Sequence, residues 1–580
     1  MQNRLAVAAA IAVLTLLTYF QFPGHTYLGS DTQIYVPMLE RIWDPTVLSP
    51  DLVATQPHLS FTLYDEITIA LRWLTRTSFR TVLVAQQLIF RACEILGVYL
   101  LALSFPLSRR LAMLVAAIFS LGATIVGPAV LVFEYEPVPR GFAIGLVFLA
   151  VGLVARNRML LAAIVAALAF LYHPPTVWVF WLLYFWLVMR RREYRNLLPL
   201  AAAVAILLIS ARFQAGGPVS QEFFARVSPE AEILGRMRAG YNWVTTWSPL
   251  LFWQYIFLWI VSMGAYVRVK PQAARSFVIG MPAIGIVSMP LSFLLLEKLK
   301  WALIPQFQPA RALLYVSAFA MILAAAAAIH AAESKRWFEC FIWFALALSP
   351  PSSARLFQID GRQILVDISL SILLALALTS KSNVAQVPDL RKASPRSLLP
   401  SFISLPAAGS TTILAAAGNP AGNSIEDERP RSPLRSVPLA LAAILPFFAL
   451  PYLGQVRNYP VVDLSTVNDL ARYAKTETPK DAVFLFADAG QSANPSIFRA
   501  ESLRAVYVDW KSGGQMNYRA SLGAEWWRRW QETNSLRFDP SELPRLRALG
   551  VDYLVLSKTH AVPNRPVIYE NAAFVVYTPP

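Results

Sequence analysis

Thirteen apolar runs constrain this chain more than any other feature of its sequence. They fall near residues 5–22, 81–105, 111–128, 140–155, 159–173, 175–189, 197–212, 248–267, 276–296, 311–330, 337–350, 363–380 and 437–453. Most are long enough to cross a bilayer as a helix. With 56% hydrophobic and 15% charged residues in 580, the chain has too little polar surface for a soluble body. The first run lacks a small-residue cleavage site and reads as a retained first helix. The expected fold is mainly α: a polytopic helical membrane protein of about thirteen spans, followed by a small C-terminal α/β domain.

The net charge of +16 does not point to nucleic acid. Thirteen of the basic residues sit in five short loops: SRR (108–110), RNR (156–158), RRREYR (190–195), RVKPQAAR (268–275) and SKR (334–336). Alternate loops are basic-poor or carry acids, as in GPAVLVFEYEPVPR (127–140) and YHPP (172–175). That bias sets the N-terminus on the cytoplasmic side of the membrane. Two long loops, 23–80 and 213–247, then face outward, where loops of such length carry function. Residues 1–380 form the transmembrane body and 381–436, rich in Pro, Ser and Gly, read as a flexible cytoplasmic linker. A last helix at 437–453 returns the chain to the outer side, and 461–580 alternates strand and helix patterns as an extracytoplasmic α/β domain. The two cysteines, Cys93 and Cys340, lie in apolar runs and read as packing residues.

This topology gathers polar groups at the outer ends of helices. Asp31 (GSD, 29–31) follows the first span, Glu134 and Glu136 (EYE, 134–136) follow the third, and Arg140 opens the fourth. His173 (LYHPP, 171–175) ends the fifth span and Arg311 (QFQPAR, 306–311) begins the tenth. Each has a plain structural reading as a solvated acid, a helix cap or a headgroup anchor. Arg91 and Glu94 sit inside the second run at i, i+3, on one helix face, which predicts an intramembrane charge pair.

With GSD and EYE in successive outer loops and an outer domain at the end, the chain resembles the GT-C superfamily of integral membrane glycosyltransferases. GSDTQIYVPMLERIWDPTVLSPD, EYEPVPRGFA, LYHPPTVW and FRAESLRAVYVDWK also look like a family of bacterial multi-span proteins whose activity is not established. The chain has EYE where a GT-C enzyme would usually carry an aspartate, and lacks a WWDYG-type tail motif.

The resemblance implies transfer of a sugar from a polyprenyl-phosphate donor to an envelope acceptor on the outer side. Asp31 would be the general base. Glu134 and Glu136 would hold Mg²⁺ or Mn²⁺, with Arg311, Arg140 and His173 as partners of the donor phosphate. Trp510, Lys511, Trp526 and Trp527 would offer a sugar-stacking surface or serve as ordinary core aromatics. Membrane lipids and a polyprenyl-phosphate-linked sugar are the expected partners; nucleic acid is not. Two other readings stay open: a transporter or flippase for a lipid-linked saccharide, with Arg91 and Glu94 lining its path, and a non-catalytic envelope-assembly scaffold.

Overall fold

In the computed structural model the residues described are 2–56, 62–213, 225–350, 369, 436–452, 465–517, 520–533, 541 and 543–579. Nearly all of the expected span at 363–380 and of the linker at 381–436 lies outside them, as does part of the loop at 213–247.

Glycine decides how the bundle closes. Helices α4 (Phe79–Ala102) and α6 (Pro139–Ala155) cross at backbone contact through Gly97, Gly145 and Gly152. A Cβ at Gly97 would lie 2.3 Å from the backbone of Phe148 and Leu149, and one at Gly152 would lie 2.3 Å from the Gly97 carbonyl oxygen. Small residues permit this approach where lipid supplies no hydrophobic drive between helices. Ser78 starts α4 by accepting the Thr81 N–H, and Pro139 starts α6 where a missing N–H costs nothing.

Among the described residues, four helical stretches are long and apolar enough to cross a membrane: Phe79–Ala102, Pro249–Val269, Arg275–Lys298 and Ile304–Glu333. Shorter apolar helices include Arg4–Phe20, Pro139–Ala155, Met159–Tyr172, Trp337–Leu348 and Pro438–Tyr452. Leu313–Glu333, rich in alanine, runs through the middle of the bundle with its apolar residues buried. Around it, Leu160, Ile164, Leu182, Phe185, Trp253 and Ile260 turn outward, as a lipid-facing surface requires.

The run at 111–128 is not one span. Its helix, Arg109–Phe119, has 11 residues, about 17 Å of rise, too short to cross alone. Gly122 and Gly127 then adopt positive φ (70° and 93°), and the chain turns into a hairpin of β1 (Thr124–Ile125) and β2 (Val130–Leu131). The apolar composition suited a buried hairpin as well as a helix. The loop at 23–80 holds two helices of its own, α2 (Thr32–Trp43) and α3 (Tyr64–Thr75).

The C-terminal region builds a five-stranded sheet in the order β4-β3-β5-β7-β6, from Val483–Phe486 (β3), Ala505–Val506 (β4), Tyr553–Ser557 (β5), Tyr569–Glu570 (β6) and Phe574–Tyr577 (β7). The β3–β4 and β3–β5 pairs are parallel, and β7 runs antiparallel to β5 and β6. Alternation sends Phe484, Phe486 and Val555 into a cluster with Val467, Leu470 and Phe498 of the helices at Ser465–Glu477 and Asn494–Ser502. Leu485, Leu554 and Tyr577 face Trp526 of Ala520–Thr533 on the other side. The three parallel strands end on one edge, and the turn after β4 carries Lys511.

Candidate active site

The floor of the site is the segment 134–140 between the β1–β2 hairpin and α6. Arg91 holds it from inside the bundle, donating through Nη2 to the Glu134 and Gly24 carbonyls and through Nη1 to that of Thr18, each at 2.7 Å. Gln87 adds bonds to the carbonyls of Glu134 and Tyr135. The expected Arg91–Glu94 charge pair is therefore corrected. Nη1 and Nη2 are spent on backbone oxygens, Nε makes no hydrogen bond, and no close ion pair joins the two among the described residues. Glu94 is buried with Oε1 unpartnered. Carbonyls left free where the end of the helix Gln2–Phe20 and the 134–136 loop meet outcompete a carboxylate one turn along the same helix.

Glu136 anchors the second loop. Its carboxylate accepts the Ser30 N–H, the Asp31 N–H (2.8 Å) and the Thr32 hydroxyl (2.8 Å), an anion seated on the N-terminus of α2. Gly29 is needed for this approach, because a Cβ there would lie 2.7 Å from the Thr26 methyl and 3.3 Å from Glu136 Oε1. Thr26 N–H also bonds the Tyr135 carbonyl, so the GSD and EYE motifs, a hundred residues apart in sequence, form one unit.

Asp31 is the N-cap residue of α2, yet its side chain makes no cap bond. It turns outward, taking Arg140 Nη1 at 2.5 Å on Oδ2 and Lys511 Nζ at 2.7 Å on Oδ1, with 27% of the side chain exposed. Arg140 also bonds Glu134 through Nε at 2.5 Å. Lys511 Nζ makes a further 2.8 Å bond to the Ser30 hydroxyl. The cluster thus alternates charge along Glu134, Arg140, Asp31 and Lys511, the last supplied by the appended domain. Burial alone would push Asp31 up, but Lys511 and Arg140, through charge and hydrogen bonds, hold it far below the usual carboxylate range. Burial and the Asp31 charge push Glu136 up, against the pull of Lys511 and of the amides it accepts from. Since both Glu136 oxygens accept from N–H groups, its geometry fits the ionised form.

Arg311 lies buried in the turn Pro309–Ala312, beside a small cavity also lined by Tyr241, Asn242, Ser292 and Gln308. Gln308 holds a left-handed backbone (φ 48°), a strained conformation that non-glycine residues keep where the surroundings fix it. The charges of Arg311 and Arg140 both reach His173. After burial they are the main reason its imidazole is held well below its usual range, and hence neutral. His173 Nδ1 pairs with the Thr176 hydroxyl at 2.8 Å across the start of Pro174–Arg191. Tyr241, raised chiefly by burial, feels Arg311, Asp31 and Arg140 together.

A divalent ion does not fit this donor set. Glu134 is taken by Arg140 and Glu136 by the α2 amides, and among the described residues no group of three or more His, Cys, Asp or Glu side chains is arranged to hold a metal. The expectation that Glu134 and Glu136 form a metal site thus meets carboxylates already engaged in building the loop. Of the tail residues, Lys511 reaches the cluster, while Trp526 is buried against Trp510 and Trp530 and donates its indole N–H to the Asp509 carbonyl. Sequence reading underrated Lys511, because nothing near it in sequence shows that the turn after β4 docks on Asp31.

A family described as Domain of unknown function (DUF6798) matches residues 465–533. A comparison with curated proteins finds no match. Solved structures similar to this chain include ArnT from Cupriavidus metallidurans bound to undecaprenyl phosphate, at 12% identity and TM-score 0.44, and the same protein in the apo state, at 11% and 0.42. In both, 99% of this chain and 97% of the other are covered. These likenesses are too distant to carry a statement about chemistry.

Proposed function

We propose that the chain is a membrane glycosyltransferase that moves a sugar from a polyprenyl-phosphate donor to an envelope acceptor on the extracytoplasmic side. The observation that carries this reading is the Asp31 carboxylate, partly open and held between Arg140 of the membrane body and Lys511 of the appended domain. A lipid-linked donor brings its phosphate to this rim while its tail stays in the bilayer. Lys511, Arg140 and Arg311 supply the positive charge that a departing phosphate needs.

Asp31 in the closed cluster is a weak base, because two cations stabilise its ionised form. A donor phosphate competes for both cations. As they turn towards it, Asp31 regains basicity and accepts the acceptor's proton. The acceptor oxygen then bonds to the anomeric carbon. The bond from that carbon to phosphate oxygen breaks, and its electron pair leaves with polyprenyl phosphate. Charge neutralisation in this scheme falls to side chains, since the carboxylates suited to a metal are engaged. Neutral His173 is a hydrogen-bonding partner beside the phosphate rather than a counter-charge. The loop-charge bias supports the outward-facing placement. Arg91, committed to three backbone carbonyls, lends no support to a transport path.

The direct test is binding of undecaprenyl phosphate to the purified protein, followed by native mass spectrometry. Wild type is expected to retain the lipid, and Lys511→Met and Arg311→Met to lose most of it. Equal retention by both variants, or none by wild type, would overturn the reading.

A further inference from the structure

Lys511 comes from the C-terminal sheet region and Asp31 from the loop after the first helix, so other contacts must hold one on the other. We infer that Arg499 is a positioning residue: a buried guanidinium that locks the 509–512 turn to the external loop and so sets Lys511 Nζ on Asp31.

Arg499 lies on the helix Asn494–Ser502 and is 1% exposed. Its Nη1 reaches Asp509 Oδ2 at 2.6 Å and the Ser512 hydroxyl at 3.0 Å, the residues that flank Trp510 and Lys511. Asp509 closes the turn by accepting the Ser512 N–H at 2.9 Å. Towards the membrane body, Arg499 Nη1 stands 3.8 Å from Asp51 Oδ2, and Nη2 donates to the Gln33 carbonyl at 3.4 Å, two residues after Asp31. Asp51 also accepts the Val506 N–H of β4 (3.1 Å), and Ser496 donates to the Gln33 side chain (2.7 Å).

One side chain therefore touches both flanks of the lysine and the first turn of the helix that carries its partner. Asp51 and Asp509, both about as buried as Arg499, have a single guanidinium between them. A charge triad of this kind is costly to bury and tolerates one geometry, which suits it to fixing position. Nothing in the spacing of Asp51, Arg499 and Asp509 announced it.

The test reads geometry without any enzymatic turnover, so it stands apart from the transferase reading on which a role for Lys511 at the donor phosphate rests. A carbodiimide activates the Asp31 carboxylate, the Lys511 amine attacks, and an amide joins the two with loss of the urea by-product. Peptide mass spectrometry then quantifies the cross-link in purified full-length protein at a temperature well below unfolding. Wild type is expected to give the Asp31–Lys511 link, and Lys511→Arg none. Arg499→Met is expected to cut the yield at least about tenfold, and Arg499→Lys to restore part of it. Should Arg499→Met fail to fold, Ser512→Ala removes the two bonds of its hydroxyl, to Arg499 and to Asp509, while keeping the triad, and is expected to lower the yield by a smaller factor. Yields unchanged in folded Arg499→Met, or in Ser512→Ala where only that variant folds, would mean Arg499 stabilises the domain without placing Lys511, and the inference would fall. If undecaprenyl phosphate binding survives loss of Lys511 while the cross-link still depends on Arg499, the functional reading fails and the positioning role stands.

Discussion

Glu136→Gln separates the two roles that the acid after EY could play. In the structure Oε1 accepts from Ser30 N–H and the Thr32 hydroxyl, and Oε2 accepts from Asp31 N–H. A glutamine can keep its carbonyl on the first pair. Its amide NH₂ then faces the Asp31 N–H, donor against donor, and a buried N–H is left without an acceptor. Losing that bond and stranding the group costs about 2 kcal/mol. Removing the anion from the N-terminus of α2 costs about 1 kcal/mol more. The sum, about 3 kcal/mol, corresponds to roughly a hundredfold easier local opening of the 29–33 turn. Hydrogen exchange with mass spectrometry on a peptide covering 28–36 reads this directly: protection is expected to fall by that factor while the α4 peptides stay unchanged. Were Glu136 a metal ligand instead, Mn²⁺ would protect the wild-type peptide and EDTA would expose it. A folded Glu136→Gln protein with wild-type protection at 28–36 would refute the anchoring role.

Three further outcomes follow. Asp31 has a folded-state pKa depressed below its unfolded value, so its contribution is present above the ordinary carboxylate range and is lost as pH falls through the folded value; the gap in melting temperature between wild type and Asp31→Asn should therefore stay constant from about pH 8 to 5 and narrow only below about pH 4. His173 is depressed in the opposite charge sense, since its neutral form is the one the fold accepts; stability is expected to fall as pH drops below about 6.5, and His173→Gln to flatten that slope in thermal unfolding scans. Gly97→Ala puts a Cβ 2.3 Å from the α6 backbone; a loss on the order of 3 kcal/mol is expected, seen as a lower melting temperature in detergent, and a variant as stable as wild type would contradict the backbone crossing.

Hydropathy revealed most of the membrane body, because a bilayer leaves helices few alternatives. It failed at 111–128, where two positive-φ glycines turn an equally apolar stretch into a hairpin. The apolar run in DAVFLFAD (481–488) and the strand pattern after the helix end in ALGVDYLVLS (548–557) exposed two inner strands of the C-terminal sheet. In the site, Asp31, Glu134, Glu136 and Arg140 were legible as outer-rim polar groups, and they meet. Their division of labour was not legible. Glu136 looks like a ligand in sequence and is an anchor in space, because the N–H groups that occupy it come from a loop a hundred residues away. Arg91 and Glu94 share a helix face, but periodicity cannot show the carbonyls that claim Arg91. Arg499, and the contact of Lys511 with Asp31, were hidden for the same reason: their meaning lies in how the C-terminal region docks on the outer loop.

In the proposed reaction, sugar transfer depends on the Asp31 carboxylate at this rim. Mass spectrometry of envelope glycans and lipid-linked saccharides, in a deletion strain complemented with wild type or with equally expressed Asp31→Asn, tests it most directly. Deletion is expected to remove a glycan modification and leave its lipid-linked donor to accumulate, wild type to restore both, and Asp31→Asn to restore neither. Full restoration by Asp31→Asn, or glycans unchanged by the deletion, would contradict it.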